Sequence, residues 1–168
     1  QYIMPGLINL HVHLPANGKP KKKQSDPKKL VKLMTSNNFL RKIMLKMCEG
    51  YAKTQLMSGV TTIRTVGGVE DVDTKIRDAV LAGKIDGPRI LAGSLAYEAT
   101  SPEQARSFVR QIAKDKPDLI KLMITGGVLD AKVKGEPGEL KMSPEIVKAA
   151  CEEAHALGLQ VAAHVESP

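Results

Sequence analysis

Two histidines lie two positions apart near the start of the chain, in the stretch GLINLHVHLP. Successive side chains of a strand point to opposite faces, so His11 and His13 are expected to project side by side, next to Asn9. The other face of this predicted strand is apolar and consists of Ile8, Leu10, Val12 and Leu14. Two imidazoles placed in this way can hold a metal ion if other ligands converge on it.

Two further candidate ligands stand toward the carboxyl ends of later predicted strands, Lys121 in DLIKLMITGG and His164 in LQVAAHV. Sheets and barrels of the α/β class place their sites at those strand ends. An unpaired ammonium in an apolar strand costs several kcal/mol, so Lys121 either extends its head to water or has a functional role. Each residue alone has an ordinary explanation, but together with the histidine pair they predict a metal centre.

Predicted strands and helices alternate along the whole chain, which indicates an α/β fold with a parallel sheet and right-handed crossovers. A helix is expected from Asn37 or Asn38 to about Ser58, a second from Asp71 to Leu81, and two more after Ser-Pro starts at Ser101 and Ser143. An open doubly wound sheet and a shortened (β/α) barrel both fit the alternation. A complete barrel has eight strands, and this chain offers five: GLINLHV, VTTIRTVGG, GPRILAG, DLIKLMITGG and LQVAAHV.

The net charge of +7 is concentrated in one segment. Asp26 is the one acidic residue there, against seven lysines at positions 19, 21, 22, 23, 28, 29 and 32. A nucleic-acid surface usually spreads over a face and adds aromatic stacking or a known motif, and neither is evident, so we expect no nucleic-acid partner. With Pro20 and Pro27 in it, the segment is predicted to be a solvated loop. The alternative is a loop near the mouth of the site that attracts anionic substrates.

Cysteine usage and hydropathy bear on the compartment. With 168 residues, 42% of them hydrophobic, the chain can build the core of one domain. Cys48 and Cys151 lie far apart in helix-like stretches, so a disulfide is not expected and the cytoplasm fits better. No apolar run approaches a membrane span and no signal peptide is visible, so no membrane partner is expected. Association into homo-oligomers is left open.

Five segments resemble, in order and spacing, those of the amidohydrolase superfamily: MPGLINLHVHL, GVTTIRTVGG, GPRILAG, LIKLMITGGV and EEAHALGLQVAAHV. The resemblance runs from Met4 to Val165 and is strongest to the imidazolonepropionase-like and Xaa-Pro or Xaa-Arg dipeptidase (prolidase-like) branch. It implies a (β/α)8 TIM barrel, of which residues 1–168 carry strands one to five. The remaining strands, and a small β-sandwich domain, then lie outside this sequence.

The resemblance also assigns roles to the four candidates. His11 and His13 match the histidines that bind one divalent metal, and His164 matches a ligand of a second. Lys121 matches a lysine that carbon dioxide converts into a metal-bridging carbamate, which accounts for a lysine in an apolar strand. Zinc suits these ligands, although manganese, iron or cobalt could occupy them. A metal-bridging hydroxide would attack the carbonyl of a C–N bond, in a dipeptide or a cyclic amide as small-molecule substrate.

Two glycine pairs follow predicted strands, Gly67-Gly68 and Gly126-Gly127. Bare backbone at these points can donate N–H groups to a substrate, or it can simply turn the chain into the next helix. Gly126 and Gly127 are therefore candidate substrate-binding residues. The same glycines keep a phosphate-binding barrel open as an alternative, which leaves the histidine pair and Lys121 unexplained.

Two polar residues near His164 receive weaker assignments. Glu166 is a candidate for contact with a ligand side chain or with substrate. His155 falls within a predicted helix and is expected to be structural.

The sequence departs from the family pattern in three respects. Relatives usually carry a metal-binding histidine on strand six and an aspartate on strand eight that shuttles protons, and neither position falls within residues 1–168, so no catalytic residue is assigned. Thr65 stands where relatives often have aspartate, and the stretch from Ser94 to Thr100 is shorter than usual. The alternative function is therefore a catalytically incomplete barrel fragment that serves as a binding or assembly module.

Overall fold

The computed structural model describes residues 2–16, 27–127 and 138–166. It divides into two compact units, Gln1–Leu91 and Ala92–Pro168. Six strands and five helices occur in the described residues, and the strand pairs β1–β2, β4–β5 and β5–β6, whose bounds follow, are parallel. The predicted α/β class with parallel strands is confirmed.

The first unit contains two helices between its first two strands. Its elements are β1 (Leu7–Val12), α1 (Pro27–Met34), α2 (Asn38–Met57), β2 (Val60–Thr65), α3 (Val72–Leu81) and β3 (Arg89–Ala92), whose last residue belongs to the second unit. The sheet has the order β1-β2-β3, so β1 is an edge strand of this sheet in the described residues. The backbone of Val66 continues the pairing, because its N–H donates to the carbonyl of Val12 at 3.1 Å.

Helix α2 begins and ends as its sequence predicts. The side chain of Asn37 accepts a hydrogen bond from the N–H of Leu40 at 2.9 Å, which is the expected N-terminal cap. The helix ends just before Gly59, whose φ of 91° lies in the left-handed region that glycine adopts without strain. Its fully buried positions are Met44, Cys48 and Ala52.

The apolar face predicted for the first strand is only half buried. Val12 and Leu14 are 8% and 1% exposed, whereas Ile8 and Leu10 are 64% and 54% exposed. Side chains of a strand point to the faces of its sheet, so the described residues leave this part of the face uncovered.

The second unit alternates strand and helix throughout. Its elements are β4 (Ala96–Tyr97), α4 (Pro102–Ala113), β5 (Leu119–Met123), α5 (Pro144–Ala156) and β6 (Gln160–His164), in the sheet order β4-β5-β6. Both Ser-Pro starts are confirmed, and at α4 the Ser101 hydroxyl accepts from the N–H of Gln104 at 3.1 Å.

One face of β5 forms the core of the second unit. Ile120 and Leu122 are buried in a cluster that also contains Ala105, Val109 and Ile112 of α4 and Ile146, Ala150 and Ala154 of α5. The two helices are further joined by two hydrogen bonds from the guanidinium of Arg110 to the carboxylate of Glu153, at 2.7 and 2.9 Å. This packing fixes which residues of β5 face away from the helices.

Three details differ from the sequence-based expectation. Part of the lysine-rich segment is helix α1, because Pro27 occupies the first turn, where proline is tolerated. Lys29 and Lys32 are exposed on it, while positions 19 to 23 lie outside the described residues. Strand β4 was not predicted; it has two residues, lies in the stretch from Ser94 to Thr100 and pairs with β5. The helical spacing of Ile146, Val147, Ala150, Ala154 and Leu157 predicts that all five are buried, but Leu157 is 47% exposed at the end of α5.

Both cysteines are free thiols, as predicted. In the part of the chain that the structure describes, none of the helices combines the length and apolarity needed to cross a membrane.

Candidate metal centre

The histidine pair at the end of β1 is brought together as the alternation predicts. His11 Nε2 and His13 Nε2 lie 3.2 Å apart, with the rings edge to face at a centroid separation of 5.1 Å. Both side chains are exposed, so the two nitrogens are accessible to an ion from solvent. A cavity of about 280 Å³ adjoins them and is lined on its far side by Tyr51, Thr54 and Gln55 of α2.

The backbone after β2 selects the tautomer of His13. Its Nδ1 lies 3.0 Å from the carbonyl oxygen of Gly67. A carbonyl can only accept, so Nδ1 carries a proton, and when the ring is neutral Nε2 presents a lone pair. In the metal-free protein the contact between the rings then requires Nε2–H of His11 to donate to His13.

This arrangement fits a transition-metal ion. Zinc binds histidine nitrogen at about 2.0–2.1 Å, so two nitrogens 3.2 Å apart can both reach one ion. A metal-binding histidine characteristically donates its other ring N–H to a carbonyl or carboxylate, as His13 does to Gly67. For His11 Nε2 to bind the ion, the proton on it must move to Nδ1, which is a change of tautomer that keeps the ring neutral.

A buried carboxylate next to this pair was not identified from the sequence. Asp73, in the first turn of α3, is 0% exposed, and within the described residues neither of its oxygens makes a hydrogen bond of normal geometry. Its carboxyl group lies against the backbone of Gly68, where a Cβ atom would come within 2.6 Å of it. Acidic residues are common in first helical turns, so no sequence signal distinguished Asp73 from the others.

Burial dominates the electrostatics of Asp73. It raises the pKa of the carboxyl from 3.8 to about 6, against the smaller opposing effects of the Thr65 hydroxyl and the charge of His13. On α2, burial together with the charges of Asp73 and Glu49 raises the pKa of the Cys48 thiol to about 12, so that this neighbour stays neutral. Asp73 is therefore an ionised group above about pH 6, with little local compensation in the metal-free protein.

This shift predicts a specific pH dependence of stability. Because the folded pKa is higher than the unfolded one, the contribution of Asp73 to the stability of the metal-free protein should fall as the pH rises from 3.8 to about 6. The loss should be complete above that window and amounts to about 3 kcal/mol. Urea unfolding of wild type and Asp73→Asn should be measured with a chelator present. The free energy of unfolding of the variant should rise relative to that of the wild type across this window. A difference between them that does not change with pH would contradict the assignment.

In the second unit, strand register places Lys121 and His164 on one face of the sheet. Lys121 pairs with Ala162, and Met123 pairs with His164. Side chains of paired parallel residues project to the same face, so Lys121 and His164 share the face opposite Ile120 and Leu122. Lys121 is 3% exposed, which confirms that it is a buried polar residue within an apolar strand.

Glu166 accompanies His164. His164 Nε2 is buried and lies 3.2 Å from Glu166 Oε1, but at an angle that does not make a hydrogen bond. The N–H of Glu166 donates to the hydroxyl of Thr125 at 3.0 Å, which fixes the backbone behind the carboxylate. At Gly127 a Cβ atom would come within 3.3 Å of His164 Nε2, so this glycine leaves room for the imidazole.

The other glycine of this pair is already engaged. The N–H of Gly126 donates to the carbonyl of Glu139 at 2.8 Å, next to an isolated antiparallel bridge between Thr125 and Leu140. That N–H is therefore occupied in this structure. His155, which was predicted to be structural, is exposed in the last turn of α5.

Across residues 2–16, 27–127 and 138–166, no cluster of three or more histidine, cysteine, aspartate or glutamate side chains could hold an ion. The histidine pair of the first unit and His164 with Glu166 in the second are two-residue sets. Lysine is a different kind of donor, because it binds a metal as an oxygen ligand only after carboxylation.

Residues 2–168 match the model of the amidohydrolase family. Against the curated proteins, the sequence finds no match.

Several solved structures share this fold. A protein from Bifidobacterium longum assigned as a prolidase is 36% identical, with a TM-score of 0.72, and the match covers 98% of this chain and 36% of that one. A Xaa-Pro dipeptidase with methionine bound in its active site is 27% identical, with a TM-score of 0.74 and coverage of 96% and 43%. Phenylurea hydrolase B, at 20% identity, a TM-score of 0.73 and coverage of 97% and 43%, shows the fold alone. The chain thus spans less than half the length of these neighbours.

Proposed function

Because this chain belongs to the amidohydrolase family, we propose that it forms the first part, strands one to five, of the (β/α)8 barrel of a metal-dependent hydrolase of C–N bonds. The substrate class that we propose is a dipeptide, since a Xaa-Pro dipeptidase is among the similar structures. A cyclic amide is the second substrate class.

The observation that carries the proposal is the state of the histidine pair. Two accessible Nε2 atoms lie 3.2 Å apart, and the Nδ1 contact with Gly67 directs one lone pair toward the position between them. A pair with only a structural role needs neither the accessibility nor the fixed tautomer.

We assign His11 and His13 to one divalent ion and His164 to another, both zinc by ligand chemistry, with Lys121 as a bridging carbamate. When bound, the ions acidify water and polarise the scissile carbonyl. The residues of this chain hold and orient those ions: Gly67 fixes the ring of His13, and Thr125 fixes the backbone of Glu166 beside His164.

The position of Lys121 supports carbamate formation. The ammonium first loses one proton to give the neutral amine. Nζ then adds to carbon dioxide, an N–C bond forms and a second proton leaves for solvent, so that an anionic oxygen ligand replaces the cation. Burial favours the neutral amine that this step requires.

The alternative of a phosphate-binding barrel loses support at Gly126. A phosphate cradle uses free backbone N–H groups, and this one already donates to Glu139. The free thiols agree with a reducing compartment, and we propose the cytoplasm.

The test is metal content and hydrolysis measured on the full-length protein. We expect two divalent ions per chain, hydrolysis of Xaa-Pro or other dipeptides, and loss of both after dialysis against a chelator, restored by Zn²⁺. A full-length protein that binds no metal and cleaves no amide would instead support the binding or assembly module.

A further inference from the structure

We propose that Asp73 is a positioning residue that supplies the counter-charge of the ion held by His11 and His13. This inference rests on the proposed function, because it presupposes a cation at the histidine pair. Asp73 does not bind the ion itself in this proposal. It acts through the Gly67-Gly68 turn and through its charge.

The contact between Asp73 and the turn is direct. Gly68 has no side chain, and the carboxyl carbon and both oxygens of Asp73 occupy the space in which a Cβ atom would lie, 2.6 Å away. The preceding residue, Gly67, carries the carbonyl that contacts Nδ1 of His13 at 3.0 Å. One turn therefore joins the carboxylate on one side to the imidazole on the other.

The burial of the Asp73 carboxylate with few hydrogen-bonding groups around it indicates that a cation compensates its charge. Asp73 is 0% exposed, and its oxygens make no hydrogen bond of normal geometry in the described part of the chain. A buried charge is strongly unfavourable unless an opposite charge or hydrogen bonds compensate it. Among the described residues, only the Thr65 hydroxyl and, when its ring is protonated, His13 favour the ionised form of Asp73. A cation bound to His13 would supply the missing compensation.

A carboxylate in a structural ion pair looks different, and the same helix provides the comparison. Asp71, at the N-terminal cap of α3, accepts from Lys75 Nζ at 2.8 Å and pairs with Arg41. It is partly exposed, and those partners hold its pKa below the usual range. No lysine or arginine of the described residues pairs with Asp73, so a structural ion pair does not account for its burial.

The experiment is Zn²⁺ affinity, measured by competition with a chromophoric chelator, for full-length wild type, Asp73→Asn and Asp73→Leu. We expect both variants to bind the histidine-pair ion about 10- to 100-fold more weakly, the range typical for loss of an outer partner of a metal ligand. In chelator we expect the opposite sign, with Asp73→Asn at least as resistant to unfolding as wild type, because a buried charge has been removed. A merely structural carboxylate would not give this reversal.

Asp78→Asn is the matched control, since Asp78 is an exposed carboxylate on the same helix that contacts Arg77. It should change Zn²⁺ affinity less than about twofold. Unchanged affinity in both Asp73 variants, with the wild type binding Zn²⁺, would overturn the inference and leave the metal site standing. No Zn²⁺ on the wild type would overturn the metal site and this inference with it.

Gly68→Ala gives an independent check. Its methyl group would displace the Asp73 carboxyl, so Zn²⁺ affinity should fall as it does in Asp73→Asn. In an Asp73→Ala background the space is available and the same substitution should add little. Equal effects of Gly68→Ala in the two backgrounds would contradict the coupling.

Discussion

Replacing His11 and His13 together by alanine should leave the full-length protein with one divalent ion fewer and with no hydrolysis above background. The polarisation and acidified water that a metal supplies are worth several kcal/mol, so the loss in kcat/KM should be about 10³-fold or more. The two nitrogens lie 3.2 Å apart, so both can bind the same ion, and the double variant removes both of its ligands from this chain segment. Metal analysis and steady-state kinetics on the same preparation provide the measurement.

The matched control for the histidine pair is His155→Ala. His155 is exposed on α5 and has no part in the proposed site, so this variant should keep wild-type metal content and activity. Circular dichroism should show that all three proteins are folded, since exposed histidines contribute little to the core. Hydrolysis retained by the double variant would remove the enzymatic assignment.

Local physical rules were sufficient to predict the histidine pair. Alternation along β1 places His11 and His13 on one face, and a glycine pair at the end of the adjacent β2 supplies the carbonyl of Gly67. The same rule places Lys121 and His164 on one face of the second sheet. Helix boundaries followed from caps such as Asn37 and Ser101, which act within three or four residues.

Features that depend on long-range packing were not predictable in this way. Asp73 resembles any acidic residue of a first helical turn until α3 packs against the turn after β2 and removes it from solvent. The exposure of Ile8 and Leu10 depends on which elements pack on that face of β1, and a strand's own residues do not encode those neighbours. Strand β4 has only two residues, Ala96 and Tyr97, and forms because β5 is available to pair with it.

The buried lysine distinguishes most sharply between a metal-binding and a merely structural β5. Lys121 is 3% exposed, on the face opposite the apolar core of the second unit. Lys121→Met keeps the length and burial of the side chain and removes the amine. If the amine is the precursor of an oxygen ligand, activity should fall about 10³-fold and metal content should decrease.

Bicarbonate dependence makes this prediction specific to the carbamate. Zn²⁺ uptake by the metal-free wild type should accelerate with added bicarbonate, and ¹³C-labelled bicarbonate should give a carbamate signal that Lys121→Met lacks. Lys121→Ala leaves space in which acetate or propionate can supply the missing oxygens, so these acids should restore part of its activity but none of that of Lys121→Met. Lys148→Met, on the exposed face of α5, is the control and should behave as wild type throughout, because its side chain is 77% exposed. Full activity in Lys121→Met, with metal uptake indifferent to bicarbonate, would show that Lys121 is an amphipathic side chain with no part in the chemistry.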